Sequence, residues 1–217
     1  MYVVFGRPGW GSALVEAQLA AYGLPFELRE VDNLFTSAEA RAVVLPFNPL
    51  AQVPTLLLPD GQVMTESAAI TLHLADVTGS DLFVPPPGDP SRPAFLRWLV
   101  FLVANVYPTF TYADDPARFV AAEGAQAGFK AKVGVYAQRL WGVMEGQAGA
   151  PWFLGARFSA LDLYVAVMTH WFLGPRVEGQ RSRDWFAANC PRLHAIALAA
   201  DARSELAAVL KRNFPAG

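Results

Sequence analysis

The sequence predicts an α/β unit followed by an all-helical unit, and three observations carry that prediction. In the first third, short β-rich runs alternate with helical patterns in the order βαβαββα. A stretch "GSDLFVPPPGDPSRP" then interrupts the chain, and its three consecutive prolines, Pro85 to Pro87, can continue neither a helix nor a central strand. After it, Ala, Leu, Val and aromatic residues recur at helical spacing. The expected organisation is a first domain over 1–78, a linker over 79–92 and a helical domain over 93–217.

The elements follow in order. "MYVVF" is a short strand and "GRPGWGS" a turn. "ALVEAQLAAYGLPF" carries apolar residues at helical spacing and stops at Gly23, with Pro25 just beyond. "ELREV" is a second strand, parallel to the first because a helix connects them. "TSAEARAVVLPF" is a helix closed by Pro46. "VPTLLL" and "QVM" are two strands of a hairpin joined by Pro59, Asp60 and Gly61. "TESAAITLHLADVTG" is a helix opening at Thr65 or Glu66. Beyond the linker, breaks near Pro108, Pro116, Gly149 to Pro151, Gly174-Pro175 and Pro191 divide a bundle of five or six helices.

Composition narrows the function classes. The chain has 217 residues, 53% of them hydrophobic, which is ample for a packed core. A formal net charge of -2, without a Lys/Arg cluster, argues against nucleic acid or an anionic membrane surface as partner. The single cysteine, Cys190, excludes an internal disulfide framework and a Cys-x-x-Cys redox pair. His73, His170 and His194 show no metal-ligand spacing with each other or with Cys190, so no metal is expected. "MYVVFGRPGW" lacks the pattern of a signal peptide. The most apolar stretch, "FLRWLVFLVANVYPTF", contains Arg97, Asn105 and Pro108 and is shorter than the ~20 residues of a membrane span. A soluble cytoplasmic protein is expected.

The segment "NPLAQVPTLLLPDGQVMTESAAITLHLAD" concentrates the chemistry. Pro54 directly precedes the hairpin. A trans Pro at a strand start is one reading. A cis bond is the other, and it would leave the N–H and C=O of Val53 open to an extended peptide. Glu66 and Ser67 stand where a helix begins. Both residue types suit a helix start, whose free N–H groups and partial positive charge also suit a carboxylate. With a carboxylate at Ser67 and an amine at Glu66, the pair fits the head of an α-amino acid whose peptide bond lies against Val53.

This segment resembles the glutathione-binding half of the glutathione transferase superfamily, in which Asn-Pro-x-x-x-Val-Pro leads into a hairpin and an acidic-Ser pair begins the third helix. The resemblance implies a thioredoxin-like first domain, a cis Pro54, a main-chain clamp at Val53 and recognition of the γ-glutamyl head by Glu66 and Ser67. Glutathione would be the co-substrate, and a homodimer would be the assembly. A second stretch, "FLGARFSALDLYVAV", is similar to the family's late core helix with its Ser/Thr-x-x-Asp box. Ser159 and Asp162 fill that box here, with Phe158 as a hydrophobic staple.

The turn "GRPGWGS" departs from the family's pattern. Where Ser-using members carry their hydroxyl this chain has Gly9, and where Cys-using members carry their thiol it has Gly11. Tyr2 lies within the first strand, too early. Ser12 is the candidate catalytic group. Lowering a thiol pKa from about 8.5 by two units needs about 2.7 kcal/mol, and a hydroxyl donor with a helix N-terminus can supply roughly that. Ser12 also reads as a plain N-cap bonding the N–H of Leu14 or Val15. In that case the backbone N–H groups of Trp10, Gly11 or Ser12 would face the thiolate instead. Trp10 is either a pocket wall or packing against the second domain, and Arg7 either steers an anionic ligand or is an ordinary surface residue. Asn105, Tyr107 and Tyr112, on or just past the first helix of the bundle, are candidates for a second, hydrophobic substrate. Two functions stay open: transfer of the glutathione thiolate to a small electrophile (or peroxide reduction), and a non-catalytic binding protein on the same scaffold.

Overall fold

The computed structural model describes residues 1–172 and 183–215, so the break expected near Gly174-Pro175 lies outside the described residues. Two compact units are present, one of residues 1–89 with the chain from residue 200 onward, the other of residues 90–199.

The first unit holds β1 (Tyr2–Gly6), α1 (Ser12–Ala21), β2 (Phe26–Glu30), α2 (Ala38–Val44), β3 (Thr55–Leu57), β4 (Val63–Met64) and α3 (Ser67–Thr78). The sheet order is β2-β1-β3-β4, with β1 parallel to β2 and antiparallel to β3, and β3 antiparallel to β4. This is the expected thioredoxin-like arrangement. β1 is central, which explains why "YVVF" is apolar throughout rather than alternating. Tyr2 and Val4 pack with Val15 and Leu19 of α1 and with Ile70 and Leu74 of α3. Val3 and Phe5 pack on the other face with Ala40 and Val44 of α2 and with Val31 and Leu34. Each such side chain contributes about 1.5–3 kcal/mol on burial, so the two-faced strand anchors all three layers.

Local signals set the boundaries. α1 gives way at Gly23, whose φ of +67° is a conformation that favours glycine, while the Leu24 N–H returns to the Leu19 carbonyl at 2.9 Å. Ser37 caps α2 by accepting the Ala40 N–H at 3.0 Å. The final helix, α10 (Ser204–Asn213), belongs to this first unit and packs along α1.

The second unit holds α4 (Arg92–Phe101), a π-helical segment Leu102–Val106, α5 (Tyr107–Asp114), α6 (Glu123–Glu145), α7 (Ala160–His170), α8 (Arg183–Asn189) and most of α9 (Pro191–Asp201). The π segment has a cause in the sequence. Pro108 offers no N–H to the Ala104 carbonyl and its ring crowds that carbonyl, so the helix widens before it, with the Tyr107 N–H reaching Leu102. Helix continues across it, making Arg92–Asp114 a 23-residue run which, unlike the shorter apolar stretch considered in the sequence, is sufficient in length and composition alone to cross a membrane. It sets Phe95, Trp98, Leu99, Leu102, Val106 and Phe110 into the core of its unit.

α7 starts with a full capping box. Ser159 caps the helix, and the fully buried Asp162 carboxylate accepts the Ser159 N–H and the Phe153 N–H, each at 2.7 Å. Burial pushes the Asp162 carboxyl up to about 6 against the pull of these donors. Phe158 is buried edge-on to Trp152, with centroids 4.9 Å apart. Cys190 is buried, and burial, with the Glu145 carboxylate second, pushes its thiol up to about 12, the opposite of a reactive cysteine.

Candidate functional site

One end of the sheet gathers the residues singled out in the first domain. Because β3 runs antiparallel to both neighbours, the end of β1, the start of β3 and the end of β4 lie together. Continuing the register beyond Phe5 opposite Thr55 brings Gly6 level with Pro54. Continuing it beyond Leu56 opposite Met64 brings Glu66 level with Pro54 from the other side. The turn after β1, the residues before β3 and the first turn of α3 therefore border one edge.

The Val53-Pro54 peptide is cis. Among the described residues, neither the N–H nor the C=O of Val53 has a hydrogen-bond partner. The loop before it is pinned by Asn48, which is buried. Its Nδ2 donates to the Gln52 carbonyl and to Thr55 Oγ1, both at 3.1 Å, and its Oδ1 accepts the Leu50 N–H at 3.0 Å. Thr55 Oγ1 adds a 2.7 Å donation to the same Gln52 carbonyl. Gln52 and Thr55 are thus fixed while the backbone of Val53, between them, stays open. The sequence reading named the Asn-Pro stretch without assigning Asn48 this task. An Asn before a Pro in a buried loop was the available signal.

Glu66 is exposed and precedes α3 with φ 63° and ψ 102°, a region costing a non-glycine residue of order 1–3 kcal/mol. Its carbonyl accepts the Ile70 N–H, and its side chain provides no cap to α3. Ser67 is buried, and its hydroxyl makes no hydrogen bond among the described residues. The first N–H groups of α3 thus lack a side-chain acceptor beside an open hydroxyl. That combination is suited to a carboxylate.

Ser12 differs from both sequence readings. The N-cap of α1 is Gly11, and Ser12 is the first helical residue. Its hydroxyl accepts the Arg7 N–H at 3.2 Å and donates to the Arg7 carbonyl at 3.3 Å, instead of capping Leu14 or Val15. The residue is fully buried. It fits there because Gly6 has no side chain: a Cβ at position 6 would lie 2.6 Å from the Ser12 Cβ and Oγ. The hydroxyl is therefore turned into the protein. The N–H groups of Gly11 and Ser12 donate to no partner among the described residues, whereas the Trp10 N–H donates to the Arg7 carbonyl at 3.0 Å.

Trp10 packs within its own unit, 5.0 Å from Phe35 with the Arg7 guanidinium 5.7 Å from its ring. Arg7 is bound to Asp32 at 2.6 Å rather than free to steer a ligand. Backbone bonding by Asn33, then the hydrogen bond from Arg7, holds the exposed Asp32 carboxyl below the usual range. Tyr2 lies in the β1 core. Asn105 sits half-buried in the π segment of the helical unit, Tyr107 lies edge-on to Trp171 at 5.0 Å, and Tyr112 edge-on to Phe119 at 4.8 Å. Among the described residues no group of three His, Cys, Asp or Glu side chains could hold a metal ion.

Comparison with known proteins gives the same direction. The profile of the "Glutathione S-transferase, N-terminal domain" family matches residues 15–77. The chain is 39% identical over 214 residues to "Uncharacterized GST-like protein YncG" of Escherichia coli, covering 98% of both chains. It is 29% identical to "Glutathione S-transferase GstA" of Escherichia coli O157:H7 over 171 residues, 77% of this chain and 81% of the other. A glutathione transferase homologue from Sulfitobacter, solved with bound glutathione, superposes with a TM-score of 0.83 over 99% of both chains at 23% identity, a likeness of fold.

Proposed function

Because the chain belongs to the glutathione transferase superfamily, we propose that it binds glutathione at the end of its first-unit sheet and presents the thiolate to a small hydrophobic electrophile. The observation that carries this reading is the open N–H and C=O of Val53 beside the uncapped, backbone-strained start of α3. The cysteinyl segment of the tripeptide would pair with Val53 as an added strand, next to Pro54. The γ-glutamyl carboxylate would take the Ser67 hydroxyl and the N–H groups of α3, and its amine the Glu66 carboxylate. The sulfur would meet the free N–H groups of Gly11 and Ser12 at the start of α1, with Trp10 alongside. Two amide donors and a helix N-terminus stabilise an anion there without a side-chain hydroxyl. The thiol proton leaves to solvent, a sulfur lone pair forms the bond to the electrophilic carbon, and the leaving group departs with its bonding pair. Asn105, Tyr107 and Tyr112 are proposed to contact the electrophile, and a cytoplasmic homodimer is the proposed form.

Isothermal titration of glutathione, with an ultraviolet titration of the bound thiolate, tests this. Binding with a thiol pKa well below about 8.5 is expected, and no binding defeats the proposal. A non-catalytic binding protein is the second reading, favoured by the buried, engaged hydroxyl of Ser12. It predicts binding with an unshifted thiol.

A further inference from the structure

The turn that would receive the sulfur is tied to the far end of the chain by one amide. The Gly9 N–H donates to Asn213 Oδ1 at 3.1 Å. Asn213 Nδ2 donates to Glu16 Oε2 at 3.2 Å and to the Val209 carbonyl at 3.0 Å. Arg212 binds the same Glu16 oxygen at 3.2 Å and reaches Glu30 at the end of β2 at 3.3 Å. Glu16 is wholly buried in α1, Asn213 nearly so, and the second Glu16 oxygen has no hydrogen-bond partner among the described residues.

These facts fix the amide's direction. Carboxylate and carbonyl oxygens can only accept, so the Asn213 NH2 must face Glu16 and Val209, and its oxygen must face Gly9. A sealed carboxylate left without donors is strongly unfavourable, so Glu16 holds the end of α10 in place through Arg212 and Asn213. Gly9 has φ +78°, and a Cβ there would meet the Asn213 carbonyl oxygen at 3.5 Å and the Phe214 ring at 4.0 Å. The end of α10 therefore lies directly on this turn. Bonding Gly9 to Asn213 holds the loop while the amides of Gly11 and Ser12 have no acceptor among the described residues.

We propose that Asn213 is a positioning residue: it sets the 9–12 turn so that the Gly11 and Ser12 amides converge on the glutathione sulfur. Its catalytic part rests on the glutathione reading above.

Asn213→Ala tests it in the full chain, with Leu58→Ala as the control. Leu58 is buried at the hairpin end of the sheet, away from this turn. Amide exchange is first read without glutathione. Exchange at Gly9 and Trp10, the two hydrogen-bonded amides of the turn, is expected to rise about tenfold in Asn213→Ala beyond any change in Leu58→Ala. No rise, or an equal rise in both, overturns the proposal. Bound glutathione is then titrated, and the thiolate fraction at neutral pH is expected to fall about tenfold in Asn213→Ala alone. A faster-exchanging turn with an unchanged thiol pKa overturns the positioning role. If the unmodified protein neither binds glutathione nor lowers its thiol pKa, the functional reading fails, and the exchange data still judge the Asn213 tie by themselves.

Discussion

Replacing Ser12 by Ala separates two ways of stabilising a bound thiolate. The Ser12 hydroxyl makes two hydrogen bonds, both to Arg7 and both long, at 3.2 and 3.3 Å. Ordinary intramolecular bonds contribute about 0.5–1.5 kcal/mol each. The gain in helix propensity from Ser to Ala returns roughly 0.5 kcal/mol. The variant should therefore lose about 1–2 kcal/mol of stability, a fall in Tm of roughly 2–8 °C for a chain of this size. Its bound glutathione should keep its depressed thiol pKa, because the hydroxyl faces Arg7 and the Gly11 and Ser12 amides remain. The assays are thermal unfolding by circular dichroism and titration of thiolate absorbance on the glutathione complex. If the variant's stability is unchanged while its thiol returns to about 8.5, the hydroxyl must turn to the sulfur on binding, and the assignment to backbone amides is refuted.

Four further outcomes are expected. Ser67→Ala should leave stability within about 0.5 kcal/mol, since its hydroxyl has no partner among the described residues, yet weaken glutathione by about 1.5–3 kcal/mol, or 10- to 150-fold in Kd by titration calorimetry. Glu66→Gly relieves φ 63° and should hold or raise the urea midpoint, because removing strain of about 1–3 kcal/mol offsets the entropy of glycine, while glutathione affinity falls. Asn48→Ala strips three hydrogen bonds from the Val53 loop and should cost about 2–4 kcal/mol in urea unfolding and weaken glutathione, although Asn48 touches no ligand in the proposed site. Asp162, with its carboxyl raised to about 6 by burial, binds its proton more tightly folded than unfolded. Its contribution is full below about pH 4 and is lost as pH rises through about 6, a change of about 3 kcal/mol, so Asp162→Asn should flatten urea stability over that window.

The βαβαββα order was legible because its signals are local: an apolar strand, helical spacing, then Gly23, Pro46 or a Pro-Asp-Gly turn where each element stops. The return of α10 to the first unit was not legible. It depends on Glu16 meeting Arg212 and Asn213 across almost the whole chain, and an Asn and an Arg at a helix end ordinarily read as solvated residues. Pro108 reads as a break in the sequence, whereas a π segment lets the Arg92–Asp114 helix continue through it.

Ser12 and Ser67 show why the site was only partly legible. Each is a serine in the first turn of a helix beside the same sheet end, and sequence alone gives both the same repertoire. At Ser12 the missing side chain of Gly6 opens a space into which the hydroxyl folds back, and Arg7 takes both its donor and its acceptor. At Ser67 the preceding Glu66 turns the backbone to φ 63°, provides no cap, and leaves the hydroxyl and the first N–H groups of α3 together without partners among the described residues. What engages one serine within the protein and leaves the other open for the proposed ligand is the backbone of the neighbouring residue. For the proposed thiolate, the donors open to it among the described residues are the amides of Gly11 and Ser12 and not the hydroxyl of Ser12.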